Sequence, residues 1–432
     1  MSIVNKPSSA AIRLSQCMIV KNEEMNIERA LAWAKDVAFE QIVVDTGSTD
    51  RTVEIAKRMG AKVFHFKWID DFSAAKNYAL DQASGDWIAF LDADEYIIAE
   101  HARLIIPLIE NIINLNGSKA VALTSQLAQL RDDGSIFQIE RQQRIFINHP
   151  DVRYERQIHE TLNFPGETFP VLENDILIMH TGYSIGAYAK TNKLERNTTL
   201  LKKALESNPK DVKSKYHLAN EFYLSGNNIE EALILFRELL NETTCQKNAY
   251  NWFRIRAFYR LITHMLYNTN AYSEAYTLAE QAFHESPDHV NICCLYGISM
   301  YYQGQFKNAL DAFKKAEKLV LAGKIENLSF DNIDTLNTYL AQTCIMLDNP
   351  DEALRYAVSY LQSHRQHENM LTLCIRVLRS KKSPEDVVSF LSNIYDFKNI
   401  LDKMFLLRCA KNIGDIALVQ LFIEMITPEE FR

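Results

Sequence analysis

In the first third of the chain, short apolar runs rich in β-branched residues alternate with stretches patterned at helical period. Cys17–Val20 precedes a helix near Glu24–Ala34, Gln41–Val44 precedes Thr49–Met59, Lys62–Phe66 precedes Phe72–Ala83, and a fourth run spans Trp87–Leu91. Strands apolar on both faces need helices on both sides, so the alternation reads as βα units on a mostly parallel sheet. After a helix over 104–115, the runs Ala120–Leu130 and Ile136–Phe146 flank Asp132-Asp133-Gly134, a hairpin signal that adds an antiparallel portion.

From about residue 186 the strand signals stop and long helical patterns follow one another. Alanines recur on alternate helices at Ala232, Ala275, Ala309 and Ala353, with companions at Ala279, Ala282, Phe313, Ala316 and Ala357. Small residues four and seven apart let the two helices of a hairpin approach closely, as a stacked repeat requires. The anchor intervals are 43, 34 and 44 residues, and only the middle one equals the tetratricopeptide period. The region therefore resembles degenerate tetratricopeptide repeats with two longer insertions. An irregular bundle with alanine-rich contacts is the alternative. The expected layout is an α/β domain over 1–185, a linker helix over 186–205 and an all-α helical-repeat domain over 206–432.

With 432 residues, 47% hydrophobic and 24% charged, the chain is long enough for two or three domains and too apolar to be disordered. A formal net charge of −8 provides no general basic field, so nucleic acid is not an expected partner. The seven cysteines form no CxxC pair and sit mostly in apolar helical contexts, which fits a reducing, cytoplasmic setting. No apolar run reaches the length of a membrane span, and no apolar signal core opens the sequence.

Candidate chemistry gathers where strands end. Asp92-Ala93-Asp94-Glu95 leaves the buried run Trp87–Leu91, and ligands of open α/β sheets bind at that end of the strands. Carboxylates two apart on such a loop suit a hard divalent cation, Mg²⁺ or Mn²⁺, that neutralises a diphosphate, although acidic loops are commonly just solvated. Asp45 ends a second strand before a Gly47 turn and a helix start rich in Ser, Thr and Asp, placed to accept from an imide or a ribose hydroxyl. Lys76 lies on a helix between the two, able to reach a phosphate or to remain an ordinary surface lysine.

Four strings in this order, CMIVKNEE, VVDTGSTDRT, WIDDFSAAKNYAL and GDWIAFLDADE, resemble the nucleotide-sugar half of bacterial family 2 glycosyltransferases of the GT-A fold. The resemblance covers residues 14–100 well and 101–185 more loosely. It implies a Rossmann-like GT-A domain in which Val20, Asn22, Glu23, Asp45, Ser48, Lys76, Asp92 and Ala93 bind a UDP-sugar. Asp45 would contact the uracil, and Asp92 and Asp94 would hold ribose and metal diphosphate. His180, in Met179-His180-Thr181-Gly182-Tyr183, matches a late histidine that often adds a metal ligand; it also reads as a simple strand-end cap. His159-Glu160 resembles the acceptor-side motif. Glu160 is the expected base, with His159 orienting or replacing it, and a salt bridge from Glu160 to Arg153 or Arg156 is the structural alternative. Arg144 is a weaker candidate for the diphosphate.

The motifs IVKNEE, DTGSTD, DFSAAKN, DAD, QIHE and HTGY, followed by a helical tail, are similar to those of the peptide S-glycosyltransferases that modify glycocin bacteriocins. That resemblance implies inverting transfer of a hexose, with UDP-glucose the expected donor, to Cys or Ser of a precursor peptide. The helical tail would dock the peptide, form a homodimer, or both. Family 2 enzymes of cell-envelope glycan synthesis carry the same motifs, and a non-enzymatic repeat protein is the remaining class.

Overall fold

A computed structural model describes residues 12–116, 122–164, 171–181, 193–242, 251–323 and 330–426. The chain divides into two compact units, Met1–Asn227 and Asn228–Arg432.

The first unit is built on an eight-stranded sheet. Its strands are β1 (Leu14–Val20), β2 (Glu40–Asp45), β3 (Lys62–His65), β4 (Trp87–Phe90), β5 (Glu95–Ile97), β6 (Ala122–Leu130), β7 (Ile136–Ile147) and β10 (Val171–His180), while β8 (Arg153–Glu155) and β9 (Thr161–Asn163) pair separately. The order is β3-β2-β1-β4-β7-β6-β10-β5. The β3, β2, β1 and β4 neighbours are parallel, as the βα alternation requires, and the β6–β7 hairpin adds the antiparallel portion. Gly134, at φ 80°, turns that hairpin in the left-handed region where glycine carries no Cβ penalty.

The central strands are apolar on both faces because both are covered. Met18, Val43 and Ile55 pack on one side with Ile27 and Leu31 of α1 (Ile27–Ala32) and α2 (Thr52–Arg58). Cys17, Val44 and Phe90 face the other side, against Ala79 and Leu80 of α3 (Phe72–Gln82). After the short α4 (Ala99–Ala102), the α5 helix (Ile105–Asn116) lays Ile105, Ile109 and Ile112 against Trp87 and Leu91. Two helices after the sheet, α6 (Lys193–Ser207) and α7 (Val212–Ser225), belong to the same compact unit.

The second unit is helical throughout its described residues, with successive antiparallel pairs such as Asn251–Tyr267 with Tyr272–Glu285, Val290–Tyr302 with Phe306–Leu321, and Phe330–Met346 with Pro350–Ser363. The anchor alanines Ala232, Ala275, Ala309 and Ala353 are all fully buried, each on the second helix of a predicted hairpin. Gly297 lets its helix come close to the next one: a Cβ there would lie 2.5 Å from the Phe313 ring. Six of the seven cysteines are buried and free; Cys245 lies outside the described residues. Among the described residues, no helix is long and apolar enough to cross a membrane.

Candidate functional site

Parallel pairing sets Val20 beside Asp45 and Cys17 beside Phe90, so the loops leaving β1, β2 and β4 emerge together. A cavity of about 440 Å³ opens there. Val20, Glu23, Lys76, Asp92, Ala93, Asp94, Arg144, His159, Glu160 and His180 border it, joined from α6 by Lys193, Arg196 and Asn197.

Lys76 is no surface lysine. It is 2% exposed, and its Nζ lies 2.6 Å from Glu160 Oε1 and 3.0 Å from Asp92 Oδ1, above the rings of Phe90 and Tyr154. Burial alone drives a lysine toward neutrality; here the two carboxylates outweigh it and hold the ammonium charged. Arg144, on β7, donates to the other Asp92 oxygen at 3.0 Å and to Glu95. Arg144, Asp92, Lys76 and Glu160 thus border the cavity as a line of alternating charge, with the buried Glu95 also paired to Arg144. Burial works to raise the Asp92 carboxyl, but the flanking cations prevail and hold it well below the usual range.

The salt bridge of Glu160 to Arg153 or Arg156 does not form. Arg153 on β8 pairs with Asp81 at 3.0 Å and Arg156 with Asp211 at 2.7 Å, so both guanidinium groups are engaged elsewhere and neither residue borders the cavity. Glu160 is buried, which raises its carboxyl, yet Lys76 brings it below the ordinary value.

His180 reaches the acidic loop through sheet register: it lies opposite Glu95 on β5 and opposite Gln129 on β6. Its Nδ1 meets Gln129 Oε1 at 2.5 Å, and its Nε2 faces Asp94 Oδ2 at 3.3 Å. Burial lowers the imidazole pKa, and Asp94 with the other carboxylates more than reverses this, so it stands raised. With the Nδ1 hydrogen given to Gln129, the Nε2 lone pair and the Asp94 oxygen converge on one spot, where a proton or a cation must lie between them. That donor set fits a divalent cation. Asp92 fits less well, since both its oxygens are held by cations. Among the described residues, no group of three or more His, Cys, Asp or Glu side chains is set to hold a metal.

Asp45, Asn22 and Ser48 do not border the cavity. Asp45 accepts from Ser48 N at 3.0 Å and Gly47 N at 3.3 Å and meets His65 at 3.3 Å. Asn22, at φ 59°, accepts from Thr49 N at 2.8 Å, while its own N–H donates to Ser48 Oγ. These contacts tie the two loops together behind Val20 and Thr46, which do line the wall.

Sequence reasoning gave Glu95 no role of its own within the acidic string and missed Gln129, Tyr154 and the cations of α6. Lys193 and Arg196, one turn apart at the start of the helix over Lys193–Ser207, were the available signal. Neither pairs with a carboxylate within 4.0 Å among the described residues, and the Arg196 guanidinium lies over Phe72.

Residues 15–152 match glycosyl transferase family 2, and residues 182–319 match the RNPP family C-terminal domain. A TPR repeat-containing protein of Synechococcus elongatus is 43% identical over 157 residues, 36% of each chain. The SPbeta prophage-derived glycosyltransferase SunS of Bacillus subtilis is 26% identical over 230 residues, 52% of each chain. The chain thus spans about a third to a half of the curated relatives it matches. The crystal structure of glucosyl-3-phosphoglycerate synthase from Mycobacterium tuberculosis with Mn²⁺, UDP and glucosyl-3-phosphoglycerate is 28% identical over 27% of this chain and 44% of that one, at a TM-score of 0.23.

Proposed function

We propose that the chain is an inverting, metal-dependent glycosyltransferase using a UDP-sugar, with UDP-glucose the first donor to test; the match of residues 15–152 to glycosyl transferase family 2 supports this. The observation carrying this reading is the convergence of Lys76, Asp92, Asp94, Glu160 and His180, from four separate segments, on one cavity at the strand ends.

Asp94 and His180 are the residues that would hold the divalent cation, whose charge would stabilise the departing diphosphate. Lys193 and Arg196 supply further positive charge to the same cavity, suited to phosphate oxygens. Arg144, bound to Asp92 and Glu95, instead fixes the acidic loop. The backbone ties made by Asp45, Asn22 and Ser48 shape the wall on the side proposed for the base and ribose. Glu160, ionised by its pairing with Lys76, is the proposed base, and His159 orients its loop. In the step itself, the acceptor sulfur or oxygen bonds to the anomeric carbon as the bond to the diphosphate oxygen breaks. The electron pair leaves with UDP, and the acceptor proton passes to Glu160.

For the acceptor we propose Cys or Ser of a precursor peptide. The motif resemblance supports this, and the 230-residue likeness to the glycosyltransferase SunS supports the transferase reading on which it rests. The helical unit is the proposed docking surface and homodimer interface; Trp252, Tyr267 and Tyr302 are exposed there.

The test is the thermal unfolding shift with UDP, with and without Mn²⁺, for wild type and Asp94→Ala. At a hundred times Kd a ligand specific to the folded state adds about 2.7 kcal/mol. A Mn²⁺-dependent rise lost in Asp94→Ala supports the reading, whereas no response to UDP in either condition overturns it.

A further inference from the structure

Helix α7 falls in the stretch expected from the sequence to be the helical-repeat domain, yet one of its stripes is polar and turned toward the loop carrying Glu160. Asp211, its N-cap, accepts two N–H groups from Arg156, at 3.2 and 2.7 Å. Ser214, one turn on, accepts a third at 2.9 Å, although it is fully buried. Another turn on, the His217 ring lies flat against His159, centroids 3.6 Å apart and planes 10° from parallel. Spacings of three residues put these groups on one face, while Tyr216, Ala219 and Phe222 pack on another.

The loop needs holding. Arg156 and His159 both adopt left-handed backbone, at φ 84° and 50°, which non-glycine residues keep only where their surroundings impose it. The helix on the other side of the loop supplies the remaining ties: Phe72 N–H donates to Gln157 O at 2.9 Å, and Ser73 Oγ donates to Arg156 O. The loop is thus gripped between α3 and α7, with Glu160 following directly after the histidine stack.

We propose that α7 is the clamp of the acceptor-side loop, in which Asp211 and His217 are positioning residues that fix Glu160 through Arg156 and His159. This rests on the reading of Glu160 as a site residue. It places the catalytic function of the chain beyond the sheet, in a helix expected from the sequence to lie in the helical-repeat domain.

The test uses the full chain and needs no ligand. The Arg156–Gln157 bond is a tryptic site whose guanidinium the clamp engages, so its cleavage rate, read by mass spectrometry, reports loop opening. His217→Ala and Asp211→Asn should speed that cleavage about tenfold or more, as local opening does, with the global unfolding midpoint little changed. His217→Phe, which keeps a flat ring for stacking, should restore resistance. Wild-type resistance in His217→Ala, or a His217→Phe variant as labile as the alanine one, overturns the proposal. A wild type unresponsive to UDP but clamped as described would instead fault the glycosyltransferase reading, so the two failures are distinct.

Discussion

The Lys76 ammonium sits 2.6 Å from a Glu160 carboxylate oxygen, in a position 2% exposed to solvent. This pairing decides the charge of the proposed base. In Lys76→Met, burial and the nearby Asp92 carboxylate are left to raise the Glu160 carboxyl. Turnover that depends on ionised Glu160 should then need a higher pH, and the acidic limb of the pH profile should move up by about one unit or more. UDP release from the donor, followed against pH, checks it; an unmoved limb would remove Glu160 from the base role.

Acceptor chemistry sets how much that base matters. A thiol, with pKa about 8.5, gives up its proton far more readily than a hydroxyl. Glu160→Gln should therefore slow transfer to Ser by about 10²–10⁴ and transfer to Cys by clearly less. Paired Cys and Ser peptides in one assay decide the point, and equal losses would sink it.

The two stacked histidines make stability depend on pH. Burial, with the Arg156 charge, lowers His159 to about 4 and His217 to about 2, from an ordinary 6.5. Above pH 6.5 both states of the chain are neutral at these rings, so the contribution is fully present. As pH falls from 6.5 toward 4 the unfolded chain gains protons that the folded one refuses, and stability declines. His217→Phe should have a flatter midpoint profile over this window; identical slopes would contradict the buried neutral pair.

Gly297→Ala should destabilise the helical unit by about 1–3 kcal/mol, because the new methyl meets the buried Phe313 ring at 2.5 Å. UDP binding to the other unit should be unaffected. A calorimetric scan resolving the two transitions would measure both effects.

Because Lys193, Arg196 and Asn197 border the cavity and α7 grips the loop, a chain ending at Asn227 should retain UDP binding and one ending at residue 192 should lose it. Titration of UDP against each truncated chain distinguishes them, provided each unfolds cooperatively.

Local pattern by itself determined the βα alternation, the Asp-Gly hairpin, the alanine-anchored helix pairs and the acidic loop after β4, since each depends on side-chain periodicity or turn chemistry within a short window. The candidate residues Lys76, Asp92, Asp94, Glu160 and His180 were legible for the same reason, together with their motif order. Their partners were not. That Glu160 pairs with Lys76 rather than Arg153 or Arg156, that Arg144 braces the acidic loop, and that His180 meets Asp94 are set by strand register and by helix docking over separations of 49 to 86 residues. Nor does the sequence pattern reveal that α6 and α7, which read as a linker helix and the start of the helical-repeat domain, form one compact unit with the sheet. A polar stripe on a helix looks solvent-facing in sequence. Only the tertiary structure, by packing that stripe against the left-handed loop of Arg156 and His159, gives it a different neighbour.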